Sequence, residues 1–211
     1  MTQYSVKEIY YTLQGEGAHS GRPAIFLRFS GCNLWNGLEK DRSNAICQFC
    51  DTDFWGTDGQ NGGKYTATEL AKKVASLWPE SAYHDRFVVC TGGEPMLQLD
   101  DLLIDALHHH RFEVACETNG TLPVPQNLDW ICMSPKANTE LVLKSGNEIK
   151  IIFPQKGIDP KDFEIMDFEH FFLQPMDDQY LEKNIQATVA YCKKNPKWKL
   201  SLQIHKLLQI P

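Results

Sequence analysis

Three of the seven cysteines stand at a spacing suited to metal chemistry. Cys32, Cys47 and Cys50 follow the pattern C-x14-C-x2-C within residues 31–53. The apolar run at 24–29 directly before them predicts a buried strand. Three thiolates on one loop after a strand would leave one coordination position of a metal centre open to a further ligand.

The kind of metal centre is not settled by three cysteines alone. Structural zinc sites usually have four protein ligands, often as two C-x2-C pairs, and only one such pair occurs here. Cys90, Cys116 and Cys132 fall in apolar predicted strands, and Cys192 falls on the apolar face of a predicted helix, as core residues would. The pattern favours a 4Fe–4S cluster, with structural zinc and unrelated free thiols as alternatives.

Composition limits the class of protein. The 211 residues are 42% hydrophobic and carry a net charge of −6, which predicts one domain over residues 1–211 and argues against a nucleic-acid or anionic-membrane partner. No secretory signal and no membrane-spanning apolar run are visible. An odd number of cysteines without a signal indicates the reducing cytoplasm.

The order of predicted elements indicates an α/β fold. A loose alternation over residues 2–12 suggests an edge strand, and residues 31–65 form a long irregular, cluster-binding loop. About six parallel strands with only about three helices predict an incomplete (β/α) barrel. The predicted strands are 24–29, 87–90, 112–116, 130–133, 149–153, 171–173 and 199–204, and the predicted helices are 67–78, 99–107 and 179–194.

Polar motifs recur directly after these strands. In (β/α) barrels the carboxyl ends of the strands form the mouth where chemistry takes place, so these motifs should meet there. They are Gly31-Cys32, Thr91 to Pro95, Glu117 to Asn119, Ser134 to Lys136, Gln174 to Asp177 and His205-Lys206.

These motifs carry a resemblance to a known family. The Cys32–Cys50 loop and Gly92-Gly93-Glu94-Pro95 resemble the radical S-adenosylmethionine superfamily, although its usual motif is C-x3-C-x2-C. From about residue 10 to the end, the chain further resembles the 7-carboxy-7-deazaguanine synthase family. That likeness rests on Leu13-Gln14-Gly15-Glu16-Gly17, Arg28, the long cysteine gap, Cys50-Asp51-Thr52, Ser134-Pro135-Lys136 and Gln174-Pro175-Met176-Asp177.

The resemblance implies a carbon–nitrogen lyase of queuosine and 7-deazapurine biosynthesis. Such an enzyme converts 6-carboxy-5,6,7,8-tetrahydropterin to 7-carboxy-7-deazaguanine and ammonia by radical ring contraction. It implies a 4Fe–4S cluster, S-adenosyl-L-methionine and Mg²⁺ as cofactors, a reducing donor such as flavodoxin, and a homodimer as a possible assembly. No residue is assigned to proton transfer.

Site residues follow from the same resemblance. Cys32, Cys47 and Cys50 would hold the cluster, and Thr52 would bind Mg²⁺. Contacts to S-adenosylmethionine are expected from Phe49, Asp51, Gly93, Ser134, Lys136, Gln174, Pro175, Met176 and Asp177. Contacts to the substrate are expected from Leu13, Gln14, Gly15, Glu16, Arg28, Thr91, Glu117, His205 and Pro211.

Two charged residues also have a purely structural interpretation. Arg28, inside an apolar strand, could bind a substrate carboxylate or form an internal salt bridge. Glu117 could accept hydrogen bonds from the guanine-like edge of a pterin or pair with Arg28. We also expect Leu207, Leu208 and Ile210 to be buried, which would carry the carboxylate of Pro211 inward.

Two other functions remain open on the sequence. An activating enzyme of the glycyl-radical type would share the cluster and the cofactor but would need an open face for a protein substrate. A non-catalytic binding module stabilised by a structural zinc ion would use the same cysteines.

Overall fold

The chain, described by a computed structural model over residues 2–82 and 84–211, has a mixed α/β fold. The described strands are β1 (Tyr4–Leu13), β2 (Pro23–Phe29), β3 (Gly63–Tyr65), β4 (Phe87–Gly92), β5 (Glu113–Thr118), β6 (Trp130–Met133), β7 (Ser145–Phe153), β8 (Asp167–Pro175) and β9 (Lys199–Leu200). The described α-helices are α1 (Ala67–Leu77), α2 (Asp101–His109), α3 (Leu181–Lys194) and α4 (Ile204–Leu208). The predicted α/β class is confirmed.

All the described strands form a single sheet. Their order is β3-β1-β2-β4-β5-β6-β7-β8-β9. From β2 to β9 every neighbouring pair is parallel, whereas β1 pairs antiparallel with both β2 and β3. The carboxyl ends of the parallel strands therefore lie at one edge of the sheet, together with the motifs that follow them.

The first two long helices begin where the sequence places their caps. Thr66 and Glu69 form the predicted capping box of α1, with the Thr66 N–H donating to Glu69 Oε2 at 2.9 Å. Asp100 caps α2 by accepting from the Leu103 N–H at 3.0 Å. The apolar faces of both helices are buried in the core that they form with the sheet.

Alternation along β2 shows how the sheet separates core from site. Ile25, Leu27 and Phe29 are fully buried in the core shared with α1 and α2. Phe26 and Arg28 point to the other face and line a cavity. Because successive side chains of a strand alternate between faces, one strand supplies both core residues and site residues.

Two predicted elements differ in the structure. Residues 63–65, placed by sequence in the long loop, pair with Tyr4 to Val6, so β1 lies inside the sheet rather than at its edge. The last strand, predicted over 199–204, ends at Leu200. There the chain leaves the sheet, and the Ile204 N–H donates to the Gly15 carbonyl at 3.0 Å as α4 begins.

Within the described residues, no helix combines the length and the apolar character needed to cross a membrane.

Candidate active site

The carboxyl ends of the parallel strands surround a cavity of about 410 Å³. This is within the usual range for a small-molecule site. Every site residue predicted from the sequence lines it except Gly15, which packs against His205 on the cavity wall. Residues far apart in the chain are thus brought together, as the strand-end motifs predict.

The three loop cysteines line this cavity as free thiols. Cys47 is buried, Cys32 and Cys50 are half-buried, and Cys32 Sγ accepts from the Leu34 N–H at 3.4 Å. Burial raises the pKa of the Cys32 and Cys50 thiols, so deprotonation of each would have to be compensated by bound metal.

This donor set fits an iron–sulfur cluster. No group of three or more His, Cys, Asp or Glu side chains in the described part of the chain is arranged around a single metal ion. In a cluster each cysteine binds a different iron, so the three sulfurs need not converge on one point. Three desolvated thiols facing one cavity suit a cluster with one iron left for another ligand.

The long gap between Cys32 and Cys47 has a structural role. Residues 39–44 form a short 3-10 helix that carries Arg42. The Arg42 Nη1 donates to the carbonyls of Gln48 at 3.1 Å and Cys50 at 3.0 Å, and its guanidinium stacks 4.0 Å over the Trp35 ring. The residues between Cys32 and Cys47 therefore hold the backbone of the C-x2-C segment in place through Arg42.

Gly93 and Glu94 join the end of β4 to the cysteine loop. The Glu94 N–H donates to the Gly31 carbonyl at 2.9 Å. The fully buried Glu94 carboxylate accepts from Thr118 Oγ1 and the Asn119 N–H, both at 2.7 Å. Glu94 thus links the end of β5, through its carboxylate, to the segment that leads into Cys32, through its backbone N–H.

We expect Gly93→Ala to reduce the amount of iron that the protein binds. A Cβ at this position would lie 2.6 Å from Cys32 Cβ and would overlap the Gly31 carbonyl oxygen, so the backbone at Cys32 must shift. Iron per chain measured after anaerobic purification checks this. Gly21→Ala is the control, because nothing lies near its Cβ position; its positive φ, which Gly93 lacks, adds only local backbone strain. Equal iron in both variants would contradict the expectation.

The residues predicted for S-adenosylmethionine all line the cavity. Lys136 donates to Ser134 Oγ at 2.8 Å and to the Ser134 carbonyl at 2.6 Å. Burial lowers the pKa of Lys136, and the nearby thiols of Cys47 and Cys50 oppose this shift. Gln174 differs from its neighbours because its side chain is already engaged by Glu16 at 2.9 Å and Ser201 at 3.0 Å.

Arg28 has an internal partner. Its Nε donates to Glu8 Oε1 at 2.8 Å and its Nη2 donates to the Tyr10 hydroxyl at 3.0 Å. The salt bridge expected from its position inside an apolar strand is therefore present, but with Glu8. The alternative that Glu117 pairs with Arg28 is wrong, since Glu117 contacts Gln14 and Lys150.

Lys150, Glu16 and Glu117 form a cluster of ion pairs that lines the cavity. Lys150 Nζ is 2.5 Å from Glu16 Oε2 and 3.4 Å from Glu117 Oε1. Burial alone would raise the pKa of Glu16. The positive charge of Lys150 and the hydrogen bonds from Lys150, Gln203 and Gln174 outweigh this effect and lower the pKa of Glu16 below its usual range. The sequence analysis missed Lys150, although a lysine inside the apolar run IKIIF is the same signal that singled out Arg28.

The C-terminal segment closes one side of the cavity. Lys206 bridges Asp51 at 2.7 Å and Asp177, and Thr12 Oγ1 donates to the Pro211 carbonyl oxygen at 2.9 Å. The expected burial of the tail is wrong, because Leu207 is 73% exposed and Leu208 is 55% exposed. Hydrogen bonds and ion pairs, rather than apolar packing, bring Pro211 to the cavity.

Comparison with known proteins gives consistent results. A 7-carboxy-7-deazaguanine synthase of Burkholderia multivorans is 57% identical over 209 residues, 99% of both chains. The enzyme of the same name from Caulobacter vibrioides is 56% identical over 209 residues, again 99% of both. No protein-family model matches the chain. A crystal structure of QueE from Escherichia coli superposes with a TM-score of 0.73 at 28% identity, covering 95% of this chain and 94% of that one.

Proposed function

Because the chain belongs to the 7-carboxy-7-deazaguanine synthase family, we propose that its cavity carries out that family's ring contraction with the residues described above. The chain is a radical S-adenosylmethionine lyase of queuosine biosynthesis. The substrate is 6-carboxy-5,6,7,8-tetrahydropterin and the products are 7-carboxy-7-deazaguanine and ammonia.

One observation supports this proposal above the others. The three cysteines line the same cavity as Arg28, Glu117 and Pro211. These residues lie far apart in the sequence. The glycyl-radical alternative would need an open protein-docking face, whereas here the C-terminal segment closes one side of the cavity. A small-molecule substrate fits this enclosure better.

We propose that Cys32, Cys47 and Cys50 hold a 4Fe–4S cluster whose fourth iron binds S-adenosylmethionine. A bound cluster would supply the electron for reductive cleavage of this cofactor. The protein's part is to position both molecules and to exclude water. Gly93 allows the backbone to approach closely, and Lys136 and Ser134, which line the same cavity, offer polar contacts.

Mg²⁺ is proposed to bind at Thr52. The neighbouring carboxylates are already paired, Asp51 with Lys206 at 2.7 Å and Asp53 with Lys7 at 2.8 Å. Thr52 stands between them in the sequence and also lines the cavity. Mg²⁺ keeps several waters and often takes ligands from its substrate, so one hydroxyl and the substrate carboxylate are an adequate site.

Charged side chains support the proposed binding of the substrate. Arg28 is held by Glu8 and Tyr10 through Nε and Nη2, so we propose that Nη1 meets the substrate carboxylate. Glu117 is proposed to accept from the amine and ring N–H of the pterin. Leu13, Gln14, Thr91, His205 and Pro211 complete the enclosure.

The wider arrangement is also a proposal. A single cavity lined by residues of β1, β2, β4, β5, β7 and β8, and by Ser134 directly after β6, requires the sheet to curve, which supports an incomplete (β/α) barrel forming a single domain over residues 1–211. The cysteine-bearing loop closes one end of it. We further propose a cytoplasmic enzyme that receives electrons from a donor such as flavodoxin, with a homodimer as a possible assembly.

Anaerobic turnover tests the proposed function. The reduced protein is incubated with S-adenosylmethionine, Mg²⁺ and 6-carboxy-5,6,7,8-tetrahydropterin, and products are identified by mass spectrometry. We expect 7-carboxy-7-deazaguanine and one ammonia per turnover, with S-adenosylmethionine regenerated. Cofactor cleavage without any deazaguanine product would remove this function.

Adding residues after Pro211 is expected to weaken substrate binding. The end of the chain reaches the cavity through Thr12, and a Gly-Ser extension would both remove the terminal carboxylate and occupy space beside it. We expect the KM for the carboxypterin to rise about tenfold, the cost of about one charged hydrogen bond. The control carries the same two residues at the N-terminus. An unchanged KM would show that the carboxylate of Pro211 has no part in binding.

A further inference from the structure

We propose that Lys150 is a positioning residue that fixes the carboxylate of Glu117 for the pterin, and that Glu16 anchors Lys150 instead of binding substrate. This inference rests on the proposed function and deepens it. It assigns separate tasks to two glutamates that the sequence analysis placed together in the substrate site.

Glu16 has little capacity left for a ligand. Its Oε2 accepts from Lys150 at 2.5 Å, and its Oε1 accepts from Gln174 Nε2 at 2.9 Å and Gln203 Nε2 at 3.1 Å. Ser201 in turn holds Gln174 by donating to its Oε1 at 3.0 Å. A carboxylate that already accepts three hydrogen bonds from fixed side chains is a structural anchor.

Glu117 has a different environment. Both hydrogen bonds that it receives within residues 2–82 and 84–211 go to Oε1, from Gln14 Nε2 at 3.1 Å and Lys150 Nζ at 3.4 Å. Its side chain is 23% exposed, against 13% for Glu16, and it lines the cavity. Oε2 is therefore the oxygen that can accept from the amine or ring N–H of a pterin, while Lys150 restrains the other oxygen.

The charge balance supports the same division. The Lys150 side chain is only 4% exposed and lies midway along β7. Burial would lower the pKa of Lys150, but the charges of Glu117 and Glu16 raise it well above its usual range, so the lysine stays cationic. One buried cation between two carboxylates leaves these three side chains with a net negative charge, which suits a ligand edge made of N–H donors.

A double-mutant cycle tests the link between Lys150 and Glu117. Anaerobic equilibrium titration measures the Kd of the carboxypterin for wild type, Lys150→Met, Glu117→Gln and the double variant. We expect each single substitution to raise the Kd about tenfold, as the loss of a charge-assisted hydrogen bond would. The double variant should bind no worse than Glu117→Gln alone, and the Kd of S-adenosylmethionine should stay unchanged.

Lys150→Met leaves Glu16 as an unpaired buried charge. If this charge prevents folding, a second variant that also removes it tests the same link. Glu16→Gln/Lys150→Met removes both buried charges together, which proteins tolerate far better than removal of one partner. Its cycle with Glu117→Gln should again show no added loss. Where Lys150→Met also folds, Glu16→Gln/Lys150→Met should bind the carboxypterin equally well, since Glu16 makes no contact with it.

Three outcomes would overturn the inference while wild type still binds the carboxypterin and forms product. The first is an unchanged Kd in the folded Lys150 variants, and the second is full additivity with Glu117→Gln. The third is a larger loss in Glu16→Gln/Lys150→Met than in Lys150→Met, which would make Glu16 a substrate ligand. Failure of wild type itself to bind the carboxypterin or form product would instead remove the proposed function.

Discussion

Replacing Cys47 by alanine is expected to abolish both iron binding and product formation. Cys47 is the buried member of the three cavity-lining cysteines, and with two thiolates left, two irons of a cluster would lack a protein ligand. Iron and acid-labile sulfide per chain, the visible absorbance and product yield under anaerobic conditions measure the effect.

Cys192→Ala is the matched control for this prediction. Cys192 is a half-buried free thiol on α3 and is packed against the apolar core away from the cavity. This variant should keep the iron content and the turnover of wild type. A Cys47→Ala protein that retains four irons and turns over would show that the cluster has other ligands.

Glu94→Ala is expected to destabilise the protein by roughly 3 kcal/mol or more. The fully buried carboxylate accepts from Thr118 Oγ1, the Asn119 N–H and, at 3.0 Å, the Met96 N–H. Each donor left without a partner in the interior costs about 1–3 kcal/mol. Glu94→Ala keeps the N–H that bonds to Gly31 but loses the side-chain bonds to Thr118 and Asn119 that hold this segment to β5, so the cluster should also be lost at lower urea concentration than in wild type.

Two further variants make this prediction specific. Glu94→Gln keeps one acceptor oxygen and should lose about 1–2 kcal/mol. Glu140→Ala removes an exposed carboxylate and should change the unfolding free energy by no more than about 0.5 kcal/mol. Anaerobic urea unfolding, followed by circular dichroism and by cluster absorbance, gives all three values. A Glu94→Ala protein as stable as Glu140→Ala would contradict this account of the strand ends.

The part of the site that sequence predicts well is the part encoded by local pattern. Short apolar runs predict the strands, and polar or glycine-bearing motifs directly after them must share one edge of a parallel sheet. This logic predicts that Thr91, Glu117 and Ser134 surround one cavity, and all three line it. Predicting that these motifs meet requires only that the strands be parallel.

Pairing between distant side chains could not be predicted in the same way. Arg28 needs a partner, but sequence does not distinguish Glu8 on the neighbouring antiparallel strand from Glu117 two strands away. The apolar run around Lys150 predicts a strand, but it does not indicate which carboxylates pair with a buried cation there. Both questions depend on register and on which face each residue occupies.

The C-terminal segment shows a different limit. Leu207 and Leu208 suggested burial, yet both are exposed, and the segment is held by Lys206 and by backbone bonds to the N-terminal loop. A short apolar stretch predicts burial only when an apolar surface is available to cover it. Here the neighbouring surface is the polar rim of the cavity.

The three cysteines are proposed to hold a 4Fe–4S cluster whose fourth iron is kept for S-adenosylmethionine. Mössbauer spectroscopy of protein enriched in ⁵⁷Fe, with and without this cofactor, tests this proposal most directly. The account predicts that one iron in four changes its signal when S-adenosylmethionine is added, while the other three keep theirs. A cluster in which all four irons ignore the cofactor, or stoichiometric zinc in place of iron, would contradict it.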